Sequence, residues 1–303
     1  MSKIKTVCCR AILCFLAGSG LVYGQGQGQA QEGQAQGEQV AQSSDSNLTQ
    51  LVRDIIHHEL DMQAKDQSLW CFHKLQEKNE KPPQLFVACQ SKSGEIDRLV
   101  AVGGRPLDEK QQRAEDLRLQ NLLKNPGQLR KQAQQEHQDG QQAERLLRII
   151  PEAFVFTKES GDDTLLKLKF KPNPKFRPSG YEAQVFHHME GTLTLNTKER
   201  RLAEIDGRLM DTVKFGGGLL GHLDKGGTFL VKQEEVKPQI WEVTTMDVRM
   251  DGKALFFKTI AVREKVLTSD YRPVPQGTTI QQAAALTKDA LGKDENAEMA
   301  AKK

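Results

Sequence analysis

From Ala153 to about Asp270 the chain repeats one pattern: a short run alternating apolar and polar residues, a few polar residues, then another such run. The runs are AFVFTK, DTLLKLKF, YEAQVFHHMEGTLTLNT, RRLAEIDGRLMDTVKF, GTFLVKQEEV, QIWEVTTMDVRM and KALFFKTIAVREKV. The connections are NTKER, DKGG, EEVKPQ and RMDGK. Alternation sends successive side chains to opposite faces of a strand. Connections this short permit only antiparallel neighbours, because a parallel crossover needs about a dozen residues. The pattern therefore predicts an antiparallel meander with one apolar face. Leu166, Leu168 and Phe170 share that face on one strand. Val185, Met189, Leu193 and Leu195 share it on the next, with Trp241 and Phe257 as neighbours.

Residues 216–221, GGGLLG, match the G-x-G-x-x-G of dinucleotide folds, and Glu234 and Glu235 follow at about the right distance for a ribose ligand. The context excludes that function. Only HLDKGG separates Gly221 from the next strand, which leaves no room for the helix that receives a pyrophosphate. The phosphate-loop pattern fails as well, because His222 stands where lysine is required. The glycines are expected instead to bend the sheet or hand one strand to the next.

The N-terminus reads as a cleavable export signal. Lys3, Lys5 and Arg10 precede the apolar stretch Ala11–Val22, which is too short to span a bilayer, and Val22 and Gly24 suit a cleavage site before Gln25. The chain is thus expected to be periplasmic or secreted, with no stable membrane span after cleavage. Its 43 Lys and Arg exceed its 40 Asp and Glu by the three bases of this leader. A mature chain of balanced charge has no global attraction to nucleic acid or to an anionic membrane.

Of the five cysteines, Cys8, Cys9 and Cys14 leave with the leader. Cys71 and Cys89 lie in two strand-like segments, SLWCFHKL and QLFVACQS, joined by EKNEKPP. A hairpin symmetric about Glu80 places them opposite each other, within disulfide reach, and an oxidising compartment would let the bond form.

Residues 25–45 are a Gln/Gly-rich spacer without apolar period, and a helical pattern begins near Ser46, with Leu48, Leu51, Val52, Ile55 and Met62 on one face. After a third strand, 95–104, residues 106–150 read as two long polar helices. One starts at Pro106 and the other ends before Pro151. From 273 to 303 the chain reads as a short helix and a charged, disordered tail.

Catalytic signatures do not assemble, and no cofactor, metal or catalytic residue is expected. His57-His58 and His187-His188 lack H-E-x-x-H spacing, so a metal would need them to meet in space with Glu59 or Glu190. No G-x-S-x-G is present. The stretch KLKFKPNPKFRP presents Lys167, Lys169, Lys171, Lys175 and Arg177 as anionic head-group candidates, or as the solvated face of a strand.

This order of elements, with the segments GTLTLNTKERRLAEIDGRL (191–209) and FGGGLLGHLDKGGTFLVKQ (215–233), resembles the periplasmic lipoprotein carriers of the LolA-like half-barrel architecture. It also resembles exported bacterial proteins with DYRP-like ends, which imply no function. The carrier resemblance spans about residues 46–270. It implies a strongly curved open sheet around helices, with acyl chains in the concavity. The polar insertion 106–150 and the tail depart from it, and no contact residue carries over.

The expected fold is α+β: a curved antiparallel open β-sheet (half-barrel) at 46–272, with an N-terminal helix and an inserted helical hairpin, 106–150. Its hollow must be filled by the helix or by a ligand. Leu166, Leu168, Phe170, Val185, Met189, Leu193, Leu195, Trp241 and Phe257 line it, with Leu219 and Leu220 at its mouth. Three functions fit: a non-catalytic binding protein carrying or sensing a lipid, acyl chain or lipidated partner; an envelope interaction or structural module using 106–150; and, least, a metal-dependent enzyme.

Overall fold

The computed structural model describes residues 39–178, 180–254 and 258–288. The leader, residues 25–38 of the spacer, the end of the tail and Phe257 lie outside the described residues. Helix α1 (Gln39–Lys65) is followed by strands β1 (Leu69–Lys78), β2 (Gln84–Ser91), β3 (Gly94–Val102) and the short β4 (Arg105–Pro106). Helices α2 (Glu109–Leu123) and α3 (Pro126–Ala153) come next. Then run β5 (Phe154–Gly161), β6 (Leu165–Pro172), the short helix α4 (Tyr181–Gln184), β7 (Met189–Asn196), β8 (Arg201–Leu209), β9 (Val213–Phe215), β10 (Gly221–Leu223), β11 (Thr228–Lys237), β12 (Ile240–Ala254) and β13 (Lys258–Val274). Residues 280–288 close the described chain as helix α5.

The strands form one open antiparallel sheet in the order β4-β3-β2-β1-β13-β12-β11-β8-β7-β6-β5, with β10 pairing β12 and β9. The protein is therefore α+β. The meander predicted from 153 onward accounts for β5–β8 and β11–β13. The non-local step joins β1 to β13, with Leu69 opposite Val274.

Alternation explains the layers. On β1, Cys71 joins Val87, Cys89, Ile96, Leu119, Leu122, Ile280, Ala283 and Ala284 in a core shared with α2 and α5. Trp70 and Phe72 point the other way, onto Ala88, Val236, Ile240 and Tyr271. Both faces are covered, so four consecutive residues of β1 are buried. Asn79 and Glu80 take positive φ in the tight turn, and Cys71 pairs with Cys89 in register and is joined to it by a disulfide. That is the pairing the symmetric hairpin predicts.

α2 is capped as its sequence requires. Asp108 accepts from the Gln111 backbone while the Gln111 side chain accepts from Asp108 N–H. Three boundaries differ from the sequence reading. α1 is already helical at Gln39, the first described residue, where the sequence pattern starts it near Ser46. α2 begins after Pro106, which belongs to β4, and α3 continues through Pro151 to Ala153. Pro151 removes one helical donor. The helix end is held from outside, as Asn173 donates its side chain to Glu152 O and its backbone N–H to Ala153 O.

The run 181–196 is not one strand: residues 181–188 form α4 and a 3₁₀ turn, and β7 starts at Met189. RMDGK is not a turn either, since β12 passes through it to Ala254, which pairs with Lys258. Gly252 lies opposite Leu223, and a Cβ there would collide with the carbonyl oxygen of His222. Close strand approach, not turning, requires this glycine.

Candidate functional site

Helix α1 lies on the apolar face of β5–β8 and β11–β13. Its residues recur at three and four, so Val52, Ile55, Ile56 and Leu60 form one buried stripe. They pack with Phe154, Phe156, Leu168, Phe170, Leu193, Leu195, Leu202, Phe229, Met246, Val248, Met250 and Val266, and with Ile150 of α3. Each such aliphatic side chain contributes about 1.5–3 kcal/mol relative to exposure.

Glu59 falls on the same stripe, one turn after Ile55, and is 1% exposed. Its carboxylate accepts from Arg201 Nε at 2.7 Å and Nη2 at 2.8 Å, from Gln63 Nε2 at 2.9 Å and from the Leu202 N–H at 3.4 Å. Arg201, at the start of β8, is 4% exposed, and its guanidinium sits 5.5 Å from the Trp241 ring centroid. One end of an apolar face thus carries a closed ion pair roofed by an aromatic ring. Beside it, Trp241 Nε1 and Gln63 Oε1 are buried without a hydrogen-bond partner among the described residues.

The residues expected to line a hollow separate into three groups. Leu168, Phe170, Val185, Met189, Leu193 and Leu195 are buried in the core with α1, and Leu166 packs against it. Trp241 stands over Arg201 at the polar end. Leu219 and Leu220 are exposed on the connection between β9 and β10, apart from that core. The glycines before them therefore close a hairpin, β9 against β10, rather than bend a continuous strand.

The basic stretch is partly neutralised. Lys169 and Lys167 lie 3.1 and 3.8 Å from Glu159, and Arg177 donates to the carbonyls of Pro174 and Phe176. Lys171 and Lys175 are exposed.

Among the described residues no group of three or more His, Cys, Asp or Glu is placed to hold a metal. Glu59 is taken by Arg201, Glu190 by Arg208 and His188 by Asp211. Glu234 pairs with Lys232, and Glu235 accepts the Gln239 N–H. A polar recess of about 330 Å³, lined by Asp224, Lys225, Thr228, Arg249, Asp251 and Arg263, opens on the face opposite the core. Its arginines are engaged, Arg249 with Asp247 and Arg263 with Asp251.

A second, half-buried charge cluster lies on β1–β3. Lys74 Nζ meets Glu95 at 3.0 Å and Asp97 at 2.8 Å. Burial alone would lower the lysine, but the two carboxylates outweigh it and hold Lys74 above its ordinary value. Burial likewise opposes ionisation of Asp97, yet Lys74 keeps it below the usual carboxylate range.

No helix among the described residues is long and apolar enough to cross a membrane. The chain matches no family model, no curated protein and no solved structure.

Proposed function

We propose that the protein is an exported, non-catalytic binding protein that carries or senses a lipid, acyl chain or lipidated partner. In this reading the sheet wraps as a LolA-like half-barrel, α2 and α3 form an inserted hairpin, and α1 exchanges with an acyl chain on the apolar face. The observation that carries it is the polar end of that face. Trp241 Nε1 is an orphaned donor and Gln63 Oε1 an orphaned acceptor, both beside the buried Arg201. Buried polar atoms in native folds are rarely left unpaired. A chain taking the place of α1 along Leu168, Leu193 and Leu195 would bring an ester or carboxylate oxygen to Trp241 Nε1, while Gln63 Oε1, carried on α1, would be released to water. The Cys71–Cys89 bond supports a working compartment outside the reducing cytosol.

The test is extraction of protein purified from its own envelope with denaturing solvent, followed by mass spectrometry, and titration of stripped protein with cis-parinaric acid. Stoichiometric lipid and saturable binding that alters Trp241 emission are expected, the emission read in a Trp70→Phe background. No extractable lipid together with no parinaric acid binding would reject the reading.

A further inference from the structure

The connection between β9 and β10 presents an apolar tip that the core does not use. Leu219 is 86% exposed, more than any other large hydrophobic among the described residues, and Leu220 beside it is 39% exposed. The tip is built rather than loose. Gly216, Gly217 and Gly218 take φ of 55°, 65° and 96°, a left-handed run that side-chain-bearing residues resist. Leu219 N–H donates to Gly216 O and Leu220 N–H to Phe215 O. Leu220 folds back over Gly216, where a Cβ would crowd its side chain.

Behind the tip runs a row of bases. His222 of β10 lies opposite Lys214 of β9 on one side and Lys253 of β12 on the other. Directly opposed residues project from the same face of a sheet, so Lys214, His222 and Lys253 form one line across three strands. Both lysines are exposed, as is Lys225 just after β10. The nearby carboxylates are engaged: Asp224 lies 3.3 Å from His222, Asp211 meets His188 and Asp251 meets Arg263.

We infer that this tip docks the protein on an anionic bilayer surface, with Leu219 and Leu220 entering the interface and Lys214 and Lys253 meeting lipid phosphates. Two leucines cover far less than the roughly 800 Å² per partner that a stable protein interface needs. They suffice for partition into a bilayer when basic residues flank them, because apolar transfer and attraction to anionic lipid add. This inference does not rest on the acyl-carrier reading, since the tip lies outside the core that α1 covers.

The test is co-sedimentation of the full chain with vesicles of phosphatidylcholine, alone or mixed with phosphatidylglycerol. Binding to the mixed vesicles is expected, and salt should weaken it. Leu219→Ser with Leu220→Ser should bind them about tenfold more weakly, with unchanged thermal unfolding because neither side chain is in the core. Lys214→Glu with Lys253→Glu should abolish the preference for phosphatidylglycerol. Equal binding by the leucine variant would overturn the proposal. So would a leucine variant that converts a dimer of this chain to monomer without vesicles, which would make the tip a contact between copies.

Discussion

Glu59 of α1 and Arg201 of β8 form a bidentate ion pair, 142 residues apart in the chain and almost wholly removed from water. It is the one charge-to-charge link between the helix and the sheet among the ion pairs described. Removing one partner leaves the other buried and uncompensated, which is far worse than removing both.

Arg201→Ala should therefore lower unfolding stability by about 3 kcal/mol. Glu59→Leu combined with Arg201→Met should restore most of that loss. Urea unfolding followed by tryptophan emission measures both. A loss below about 1 kcal/mol for the single variant would show that the pair does not hold α1 in place.

The disulfide closes a short loop at a sequence separation of 18. Cys71→Ser with Cys89→Ser should cost about 3 kcal/mol. Urea midpoints of the variant and of the native protein, with and without dithiothreitol, give the comparison. Reductant should shift the native protein alone.

Stability should fall between pH 10 and about 12 through Tyr271. Burial pushes its phenol up to about 12 from an ordinary value of 10, with the Thr268 hydrogen bond opposing and the charges of Glu95 and Glu234 adding. The folded state favours the neutral form, so its contribution is complete below pH 10 and is lost as pH rises through the folded value. Tyr271→Phe should flatten this limb while losing the hydroxyl bonds to Thr268 and to Val243 O. An unchanged alkaline limb in urea midpoints would refute the assignment.

Asp97 acts on the acid side. Because its folded value lies below the ordinary one, its contribution is present above about pH 4 and is lost as pH falls through the folded value. Asp97→Asn should be less stable at neutral pH yet lose less on acidification. Thermal midpoints measured down the acid limb decide this.

Gly252→Ala should destabilise by about 1–3 kcal/mol, because the added methyl strikes the His222 carbonyl and forces β10 from β12. Hydrogen exchange should quicken first at β10. Uniform exchange across the sheet would mean that the strand approach is looser than described.

Much of this architecture was legible in the alternation of the chain. Leu166, Leu168 and Phe170 announce β6, and the pairing of Cys71 with Cys89 follows from turn symmetry. The errors have specific causes. Val185 and Met189 are four apart, which places them on one face of either a strand or a helical turn, so 181–188 read as strand. Gly252 looks like a turn residue until its cross-strand neighbour is known. Glu59 could be seen as an acid on an apolar stripe, but nothing local names Arg201 as its partner. Nor does GGGLLG state whether its leucines face core or water, since that depends on which strands the glycines join.

Because β13 lies between β1 and β12, it sets the order in which the sheet assembles during synthesis. β1–β4 can pair as they emerge, and so can β5–β8 and then β11–β12, but the two sets share no strand ladder until residues 258–274 arrive. The last strand made is the seam. A nascent chain stopped at Ala254 is expected to show two sets of protected hairpins that unfold independently, and the full chain one cooperative transition. Contacts this distant in sequence also make the final step slow, so unpaired edges of β1 and β12 stand open for that interval.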